Sequence, residues 1–513
     1  MSEDLGFKNC DEYLSVAQKF KLGFLLTEKS HEKTWNLSEL AKNNLPEAIN
    51  VLKDLDLNVL SVLSEKLDQM NQLAEKIEEV FADGGKVYLF GCGATGRLSL
   101  LIESIWNQVH PDKVGQVVSF MSGGDIALVQ SVEGFEDQVV YGARHLNDLK
   151  FGEKDLLISS TEGGETPIVI GATLEATKIS KHKCYYLYCN PTDLLVDNIE
   201  RSRQAIHHER VEPIELYCGS MGIAGSTRMQ ASSILQIFIS MALFRQKPGS
   251  LAGELEGFKK FFEQLDLSFL EAFIKEEAGI YVSFGRLTYN VDPQFALNTF
   301  TDTTERAPTF SMKPFEHPNK MELPLALCYI CVNGAENSMD AWEKLLFRKP
   351  RALGWEDSMA RVSDEYLKGF DFSHHAIAKR QKISPTNNNF NITANEGFLS
   401  WKLNDLEYNI SLPKGLQFHW QQVLLKFILN THSTLIMGRL RRYENNLMTW
   451  VSPSNGKLID RTARYVDHFL KADGISKTYE EIVKAIFEIN LRKDRSMVLE
   501  IYHHIKRQYE LTK

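Results

Sequence analysis

The stretch Val87-Tyr-Leu-Phe-Gly91-Cys-Gly93-Ala94-Thr95-Gly96-Arg97 decides the fold, because an apolar run ends there in a glycine-rich turn that leads into a helix-like segment. Glycines let a backbone approach an anion closely, and the free N–H groups at the start of a helix direct positive charge toward it. The stretch therefore predicts a strand, a phosphate-binding turn and a helix, with Gly93, Ala94, Thr95 and Gly96 as phosphate contacts.

The spacing of the three glycines also occurs in dinucleotide-binding folds. There, an acidic residue about 20 residues further on ends the second strand and binds the ribose. The next strand-like run, 116–121, is followed by Ser122-Gly-Gly-Asp125, and Asp125 lies 29 positions beyond Gly96. NAD(P) binding and a purely structural turn are therefore the weaker interpretations, and no cofactor is predicted.

Composition is that of an ordinary globular protein. The 513 residues are 43% hydrophobic and 24% charged, which allows two or three domains. The 58 basic and 67 acidic residues give a net charge of −9, so we expect no general attraction to nucleic acid or to an anionic membrane. The opening Met-Ser-Glu-Asp has no basic and apolar leader, and no apolar run is long enough to span a bilayer, so a cytoplasmic location is expected.

Seven cysteines, an odd number that lies mostly within apolar runs, predict buried thiols in a reducing compartment. The pair Cys328-Tyr-Ile-Cys331 falls in a strand-like run, which would send the two side chains to opposite faces. Adjacent histidine pairs also face different ways on regular elements. We therefore predict no metal site.

The remaining pattern predicts a parallel α/β sheet. Residues 1–80 have the amphipathic periodicity of helices. Strand-like runs separated by helix-length segments follow at 86–90, 116–121, 155–160 and 184–189. Ligands of such sheets bind beyond the carboxyl ends of the strands, so the loops there should converge.

Those loops carry hydroxyls, glycines and carboxylates. After the third strand comes Ser159-Ser-Thr161-Glu-Gly163-Gly-Glu165-Thr166-Pro167, and before it lies Val132-Glu-Gly-Phe-Glu136-Asp137. Hydroxyls and backbone amides suit a phosphate, whereas carboxylates suit sugar hydroxyls or acid-base chemistry. The mixture indicates a sugar phosphate rather than a nucleotide. For any one loop alone, an ordinary capped helix start is the alternative interpretation.

At this point the motifs resemble a known superfamily. Thr161-Glu-Gly163-Gly164-Glu165-Thr166 is similar to the phosphate loop Ser-x-Ser-Gly-Glu-Thr of the sugar isomerase (SIS) domains, with Gly163 in place of the second serine. Within that superfamily, the chain resembles the branch of the N-acetylmuramic acid 6-phosphate etherases and the glucokinase regulatory proteins. The shared motifs, in order, are Thr95-Gly96-Arg97, Glu133-Gly134-Phe-Glu136-Asp137, Cys189-Asn190-Pro191 and Gly225-Ser226-Thr227-Arg228-Met229.

The resemblance implies an architecture of two tandem SIS domains, each a parallel-sheet α/β/α sandwich of flavodoxin or Rossmann type. Gly279-Ile-Tyr-Val-Ser-Phe-Gly285 resembles a second strand and turn, and 302–310 resembles an etherase motif. Residues 311–425, with an Asn387-Asn-Asn389 loop, match poorly. The expected units are an N-terminal helical segment at 1–50, a first SIS domain at 51–255, a second, degenerate one at 256–430 and a C-terminal helical cap at 431–513.

The resemblance also implies one composite site. The catalytic glutamate of the etherases, ten residues after Thr95, falls on Ile105, whereas the second domain keeps Glu305. The site would therefore combine the loops and Glu136 of the first domain with Glu305 and a cap residue. Counting without gaps places Arg442 at the cap lysine of the regulatory proteins. The implied sugar-phosphate contacts are Gly93, Ala94, Thr95, Gly96, Glu136, Thr161, Gly163, Thr166, Glu305 and Arg442.

The function that the resemblance favours is that of a sugar-phosphate-binding regulatory protein. Its ligand would be fructose 6-phosphate, fructose 1-phosphate or an amino-sugar 6-phosphate, a sugar kinase is a candidate partner, and an internal pseudo-dimer would allow a monomer. One alternative is an etherase that releases D-lactate, with Glu136 and Glu305 catalytic, and another is a sugar-phosphate isomerase. If Glu165 points into the site, its charge would repel the phosphate.

Overall fold

Two five-stranded sheets flanked by helices make up the described part of the chain. The structure is a computed structural model and describes residues 7–132, 134–317, 321, 323–355, 362–384, 387–489 and 495–512. The strands of the first sheet are β1 (Val87–Gly91), β2 (Val117–Met121), β3 (Leu156–Thr161), β4 (Cys184–Tyr188) and β5 (Val211–Glu215). Those of the second are β6 (Arg286–Val291), β7 (Cys328–Val332), β8 (Asn387–Asn395), β9 (Phe398–Leu403) and β10 (Leu406–Ser411).

Helices cover both sheets and extend beyond them. None of the helices in the described ranges is long and apolar enough to cross a membrane. They are α1 (Cys10–Val16), α2 (Leu37–Asn43), α3 (Leu45–Ser64), α4 (Leu67–Ala82), α5 (Ala94–Val109), α6 (Val139–Asp148), α7 (Pro167–Ile179), α8 (Thr192–Asn198), α9 (Glu200–Ile206), α10 (Gln230–Leu243), α11 (Leu251–Gln264), α12 (Leu270–Val282), α13 (Pro293–Phe310), α14 (Ser338–Leu346), α15 (Asp364–Lys368), α16 (His374–Ile383), α17 (Phe418–Arg439), α18 (Gly456–Ala472), α19 (Tyr479–Glu488) and α20 (Met497–Thr512).

The first sheet is parallel throughout, in the order β2-β1-β3-β4-β5, which confirms the predicted fold class. Strands β1 to β4 are buried along their whole length because helices cover both faces, with α4, α5 and α10 on one side and α6, α7 and α9 on the other. Gly91 pairs with Met121 and with Ser160 in register. The loops after these three strands therefore begin side by side.

The second sheet copies only part of this arrangement. Its order is β10-β9-β8-β6-β7, and β6 pairs in parallel with β7 and β8, as β1 does with β2 and β3. The next two strands, β9 and β10, form an antiparallel meander in place of two further parallel strands. The second unit is therefore an α/β sheet with a different edge.

Two local predictions for the second unit were wrong. The stretch 279–285 is not a strand and turn: it ends helix α12, and the strand β6 starts at Arg286. Ile280 and Tyr281 are buried on that helix, so tertiary packing outweighs the β-propensity of the Ile-Tyr-Val run. Asn387 and Asn389 are not in a loop but in β8, where Asn389 Oδ1 accepts a hydrogen bond from Asn290 Nδ2 (3.2 Å).

Helix α17 connects the units of the fold. Its residues are buried almost from end to end, and it packs against α2, α3, α10, α12 and α13. The expected unit limits at 50, 255 and 430 fall inside α3, α11 and α17. Beyond α17, helix α18 packs against α19 and α20 and presents its first turn to the first sheet.

Candidate functional site

The first turn brings β1 and α5 close together. Gly93 has φ = 59°, a left-handed conformation that glycine adopts without strain, and a Cβ on Gly96 would lie 2.5 Å from Met121 Cβ. The Thr95 hydroxyl donates to the Cys92 carbonyl (2.9 Å) and accepts from the Cys92 amide (3.0 Å). Thr95 therefore shapes the turn, and the N–H groups of the first turn of α5, which begins at Ala94, are what this segment offers to an anion.

The loop between β3 and α7 brings two predicted phosphate contacts together. The hydroxyls of Thr161 and Thr166 lie 2.8 Å apart, so one of their two protons joins them and the other is free to bond a ligand. Thr166 precedes Pro167, which opens α7. Asn190 Nδ2 donates to the Gly163 carbonyl (2.9 Å) and holds the loop in place. A hydroxyl beside a helix N-terminus suits a phosphate.

Glu165 is buried in this loop, but its charge is compensated. Its carboxylate lies 2.5 Å from the Arg201 guanidinium and 3.1 Å from Lys457 Nζ. Burial alone would raise the pKa of Glu165, but Lys457 and Arg201 together hold it below its ordinary value. A ligand phosphate would therefore meet an ion-paired carboxylate rather than an isolated negative charge.

Lys457 brings a cation to these loops from the C-terminal helices. It lies in the first turn of α18, after the N-cap residue Asn455, whose side chain accepts from the Leu458 amide (3.0 Å). Lys457 Nζ lies 3.8 Å from Glu136 as well as 3.1 Å from Glu165. Burial lowers the pKa of Lys457, but these carboxylates raise it by more, so the pKa lies above the ordinary value of a lysine. Lys457 is therefore positively charged at neutral pH.

Arg442, the predicted cap cation, contacts a different group. Its guanidinium lies 3.8 Å from the centroid of the Trp450 ring, and its backbone amide donates to the Met437 carbonyl (2.9 Å). Within the described ranges, no ion pair joins Arg442 to Glu136 or Glu165. The residue that counting along the sequence placed at the cap cation, Arg442, therefore stacks on a tryptophan instead. The cation that lies beside the loops is Lys457.

Glu136 lies beside both phosphate-type loops. Its backbone carbonyl accepts from the Ile168 amide (3.1 Å) in the first turn of α7, and its side chain is 41% exposed. Its negative charge also acts on Cys92 in the first turn. Partial burial raises the pKa of Glu136, although Lys457 opposes the shift. Glu133, in the same motif, lies outside the described residues.

Glu305 reaches the first turn from the second unit. It lies on α13, and its carboxylate forms a buried ion pair with Arg97. Arg97 also donates to the Ala127 carbonyl (3.0 Å), which fixes the guanidinium. Ile105, where the glutamate of the etherases would fall, is fully buried among apolar side chains. The carboxylate at the first turn therefore comes from α13.

Glu162 is a carboxyl group that sequence reasoning missed. It is 9% exposed, and its Oε1 has no hydrogen-bond partner among the described residues. Burial and the negative charge of Glu305 raise the pKa of Glu162 to about 8, although a hydrogen bond with Thr227 opposes the shift. Glu162 is therefore mainly protonated at neutral pH and can donate to a ligand oxygen. It occupies the variable position of the SIS loop, so no sequence signal marked it.

A small cleft opens beside Glu305 between helices. Ala94 and Leu98 line it from α5, Gln236 from α10, Glu305 from α13 and Lys426 from α17. Ala94 and Glu305 therefore belong both to the first turn and to the cleft.

Comparisons with known proteins find relatives of this chain in both sequence and fold. The family described as "Glucokinase regulatory protein N-terminal SIS domain" matches residues 69–178. The N-acetylmuramic acid 6-phosphate etherase of Lactococcus lactis subsp. lactis is 32% identical over 220 residues, which are 43% of this chain and 69% of that protein. The Bacillus subtilis etherase is 28% identical over 226 residues, with 44% and 69% covered. Among solved structures, tagatose-6-phosphate ketose/aldose isomerase from Escherichia coli matches 78% of this chain and 94% of its own, at 13% identity and a TM-score of 0.42.

Proposed function

Because the chain belongs to the sugar isomerase (SIS) superfamily, in the family of the N-acetylmuramic acid 6-phosphate etherases, we propose that it binds one sugar phosphate and that occupancy regulates a partner protein. One observation carries the proposal. Lys457 of α18 lies beside the loop that carries the Thr161 and Thr166 hydroxyls, and the charge of Glu305 on α13 acts on Glu162 of the same loop.

The phosphate would bind at the N-terminus of α7. The free proton of the Thr161 and Thr166 pair donates to one of its oxygens. Lys457 supplies the positive charge that balances the phosphate. It would share its ammonium between the phosphate and Glu165, and Glu165 keeps Arg201 as an ion-pair partner. The N–H groups that start α5 complete the cradle on the other side.

The sugar would lie between the carboxyl groups. Glu136, which is partly exposed, accepts from sugar hydroxyls, and the protonated Glu162 donates to a sugar oxygen. Acceptors and donors placed in this way suit a polyhydroxy ligand. Fructose 6-phosphate, fructose 1-phosphate and N-acetylglucosamine 6-phosphate are the ligands to test.

Regulation would follow from the origin of the contacts. Lys457 belongs to α18 and Glu305 to α13, so a ligand that touches both favours conformations in which these helices close on the first sheet. Only such differential affinity lets a ligand change the surface that a partner binds. The matched family is named for the regulation of glucokinase, so a sugar kinase is the first partner to test.

Calorimetric titration tests the binding. Each of the three sugar phosphates is titrated into the unmodified protein, and the best ligand into Thr161→Val. We expect the substitution to weaken binding about 10- to 150-fold, since a hydrogen bond to a charged group contributes about 1.5–3 kcal/mol. Thr177→Val, which removes a hydroxyl bonded only within α7, is the control. Failure of every sugar phosphate to bind at millimolar concentration contradicts the proposal.

A second candidate function is lactate-releasing elimination on N-acetylmuramic acid 6-phosphate. It is favoured by two carboxyl groups in unlike environments, the ion-paired Glu305 and Glu136, whose pKa is raised. One group would remove the proton at C2 while the C3–O bond breaks, and the other would protonate the departing lactate oxygen. Lactate release that Glu136→Gln abolishes would establish this activity in place of a binding-only role.

A further inference from the structure

A segment of the second unit crosses to the first sheet and reaches the loop that carries Glu136. It comprises residues 347–355, directly after α14. Arg348 and Arg351 attach this segment to α5, because their guanidinium groups donate to the Glu103 carboxylate (2.7 and 2.8 Å). This part of the chain matches the resembled family poorly, so the resemblance assigns the segment no role.

The segment brings Trp355 to helix α6. Trp355 is 7% exposed, and its Nε1 donates to Asp148 Oδ2 (2.6 Å). The Arg144 guanidinium lies 4.4 Å from the centroid of the Trp355 ring, and the centroid of the Tyr141 ring lies 5.3 Å from it. Residues at spacings of three and four share one face of a helix. Trp355 therefore packs along the face of α6 that carries Tyr141, Arg144 and Asp148.

Trp355 also contacts the residue that precedes Glu136. The rings of Trp355 and Phe135 are stacked, with their centroids 5.9 Å apart and an angle of 8° between their planes. Phe135 is 4% exposed, and its ring also packs against Tyr141, with 5.0 Å between the centroids. The Phe135 ring is therefore fixed between α6 and the segment after α14.

The side chain of Glu136 has few contacts of its own. It is 41% exposed, and in the described part of the chain its carboxylate has one ion-pair partner, Lys457, at 3.8 Å. Its backbone is held more firmly, by the buried ring of Phe135 on one side and by the bond from the Ile168 amide (3.1 Å). The direction of the Glu136 carboxylate therefore depends on the position of Phe135.

We propose that Trp355 is a positioning residue, which fixes Phe135 and thereby orients Glu136 toward the hydroxyls of a bound sugar. This inference rests on the proposed function and deepens it, because it assigns recognition of the sugar to a contact between the two units. The loop of the Thr161 hydroxyl is held separately, by the bond from Asn190. Loss of the Trp355 ring should therefore weaken the contact with the sugar and spare the contact with the phosphate.

Calorimetry on the full chain tests this division. Wild type and Trp355→Ala are titrated with inorganic phosphate and with the tighter-binding of fructose 6-phosphate and N-acetylglucosamine 6-phosphate. We expect Trp355→Ala to bind the sugar phosphate about tenfold more weakly, because the sugar loses a hydrogen bond to the charged Glu136. Its affinity for inorganic phosphate should stay within about twofold. Trp355→Phe keeps a ring beside Phe135 and should recover most of the loss.

The outcomes separate this inference from the proposed function. Unchanged sugar-phosphate affinity in Trp355→Ala overturns the positioning role and leaves the proposed function intact. An equal loss of affinity for inorganic phosphate also overturns the positioning role. If the wild type binds neither sugar phosphate, the proposed function is contradicted and this inference with it.

A double-mutant cycle shows whether Trp355 acts through Glu136. In the Glu136→Ala background, Trp355→Ala should weaken sugar-phosphate binding by less than about twofold, because the group that it positions is already absent. Losses that add in full overturn the proposal. Should Trp355→Ala fail to fold, Phe135→Leu, which removes the other ring of the stack, takes its place in the same cycle with the same expected result.

Leu353→Ala is the control for a general loss of stability. Leu353 is buried on the same segment and packs beside Gly124. Its truncation should lower the free energy of unfolding in urea, because it leaves a cavity, but sugar-phosphate affinity should stay within about twofold. A tenfold loss of affinity in Leu353→Ala would show that any weakening of the segment has this effect, and would overturn the specific role of Trp355.

Discussion

Arg97 and Glu305 form a buried ion pair that joins helix α5 of the first sheet to helix α13 of the second unit. The two residues are 2% and 10% exposed at their side chains. Arg97 follows the phosphate-type turn, and Glu305 lines the adjoining cleft. The pair therefore links the stability of the contact between the two units to the geometry of the ligand site.

We predict that Glu305→Gln destabilises the protein strongly. Removal of one partner leaves the Arg97 charge buried, and such changes destabilise by about 3–5 kcal/mol. Urea unfolding measures the loss, and Arg97→Met combined with Glu305→Gln should recover part of it. Glu271→Gln, which removes an exposed pair with Lys275, should stay within about 0.5 kcal/mol. Equal losses for the buried and the exposed pair would contradict the prediction.

A second prediction distinguishes Lys457 from Arg442. Lys457→Met should weaken sugar-phosphate binding tenfold or more, because the ligand loses the ammonium beside the loops. Arg442→Met should leave affinity within about twofold, since its guanidinium stacks on Trp450. Calorimetry on both variants measures the difference. A larger effect at Arg442 would restore the assignment made by counting along the sequence.

The first sheet and its loops were predictable because their signals are local. An apolar run, a glycine turn and a helix start lie within eleven residues at 87–97, and the Thr161 and Thr166 hydroxyls fall at fixed offsets in one loop. Parallel register then places such loops side by side. The structure has the predicted strands and also β5, Val211–Glu215, which has no comparable apolar run.

The parts of the fold that the sequence did not predict depend on packing between residues far apart in the chain. The Ile-Tyr-Val run before Gly285 has strand propensity, but Ile280 and Tyr281 are buried by tertiary packing on helix α12. The edge strands β9 and β10 pair by turns that no recognised motif marks. The sequence does contain a signal for Lys457. Asn455 is a typical N-cap residue, so Lys457, two positions later, is expected in the first turn of a helix. A lysine there can contact a ligand bound near the start of the helix.

The raised pKa of Glu162 predicts how the stability of the protein changes with pH. Its pKa is raised from about 4.5 to about 8, first by burial, so the folded state holds a proton that the unfolded state releases. The stability contributed by this group is present at low pH and declines as pH rises from about 4.5 to about 8. Glu162→Gln should therefore match the wild type near pH 5 and exceed it in stability at pH 8.5. Urea unfolding at both values measures this.

The ionisation of Glu162 should also change the affinity for the ligand. Above pH 8 the ionised Glu162 repels a phosphate, so wild-type affinity should fall between pH 7 and pH 9. Lys426 loses its charge over the same range, and the two effects are separated by comparing the wild type with Glu162→Gln, in which only the lysine titrates. A wild-type profile identical to that of the variant would show that Glu162 does not face the ligand.

The last prediction concerns another contact between the two units. Arg348, in the segment after α14, forms two bonds to Asp125 (2.6 and 3.0 Å) and a third to Glu103 (2.7 Å), and all three side chains are at most 6% exposed. Arg348→Met leaves two buried carboxylates with only Arg351 to compensate them. We expect a loss of about 3–5 kcal/mol in urea unfolding.

Two variants test whether the stability contributed by Arg348 depends on the bidentate geometry of its guanidinium or only on its positive charge. Arg348→Lys keeps the charge but cannot bond Asp125 bidentately, so it should recover only part of the loss. Lys349→Met removes the neighbouring exposed cation and should change stability by less than about 0.5 kcal/mol. If Arg348→Lys equals the wild type, charge alone holds the units together. If Arg348→Met is also neutral, the segment after α14 does not fasten the second unit to the first sheet.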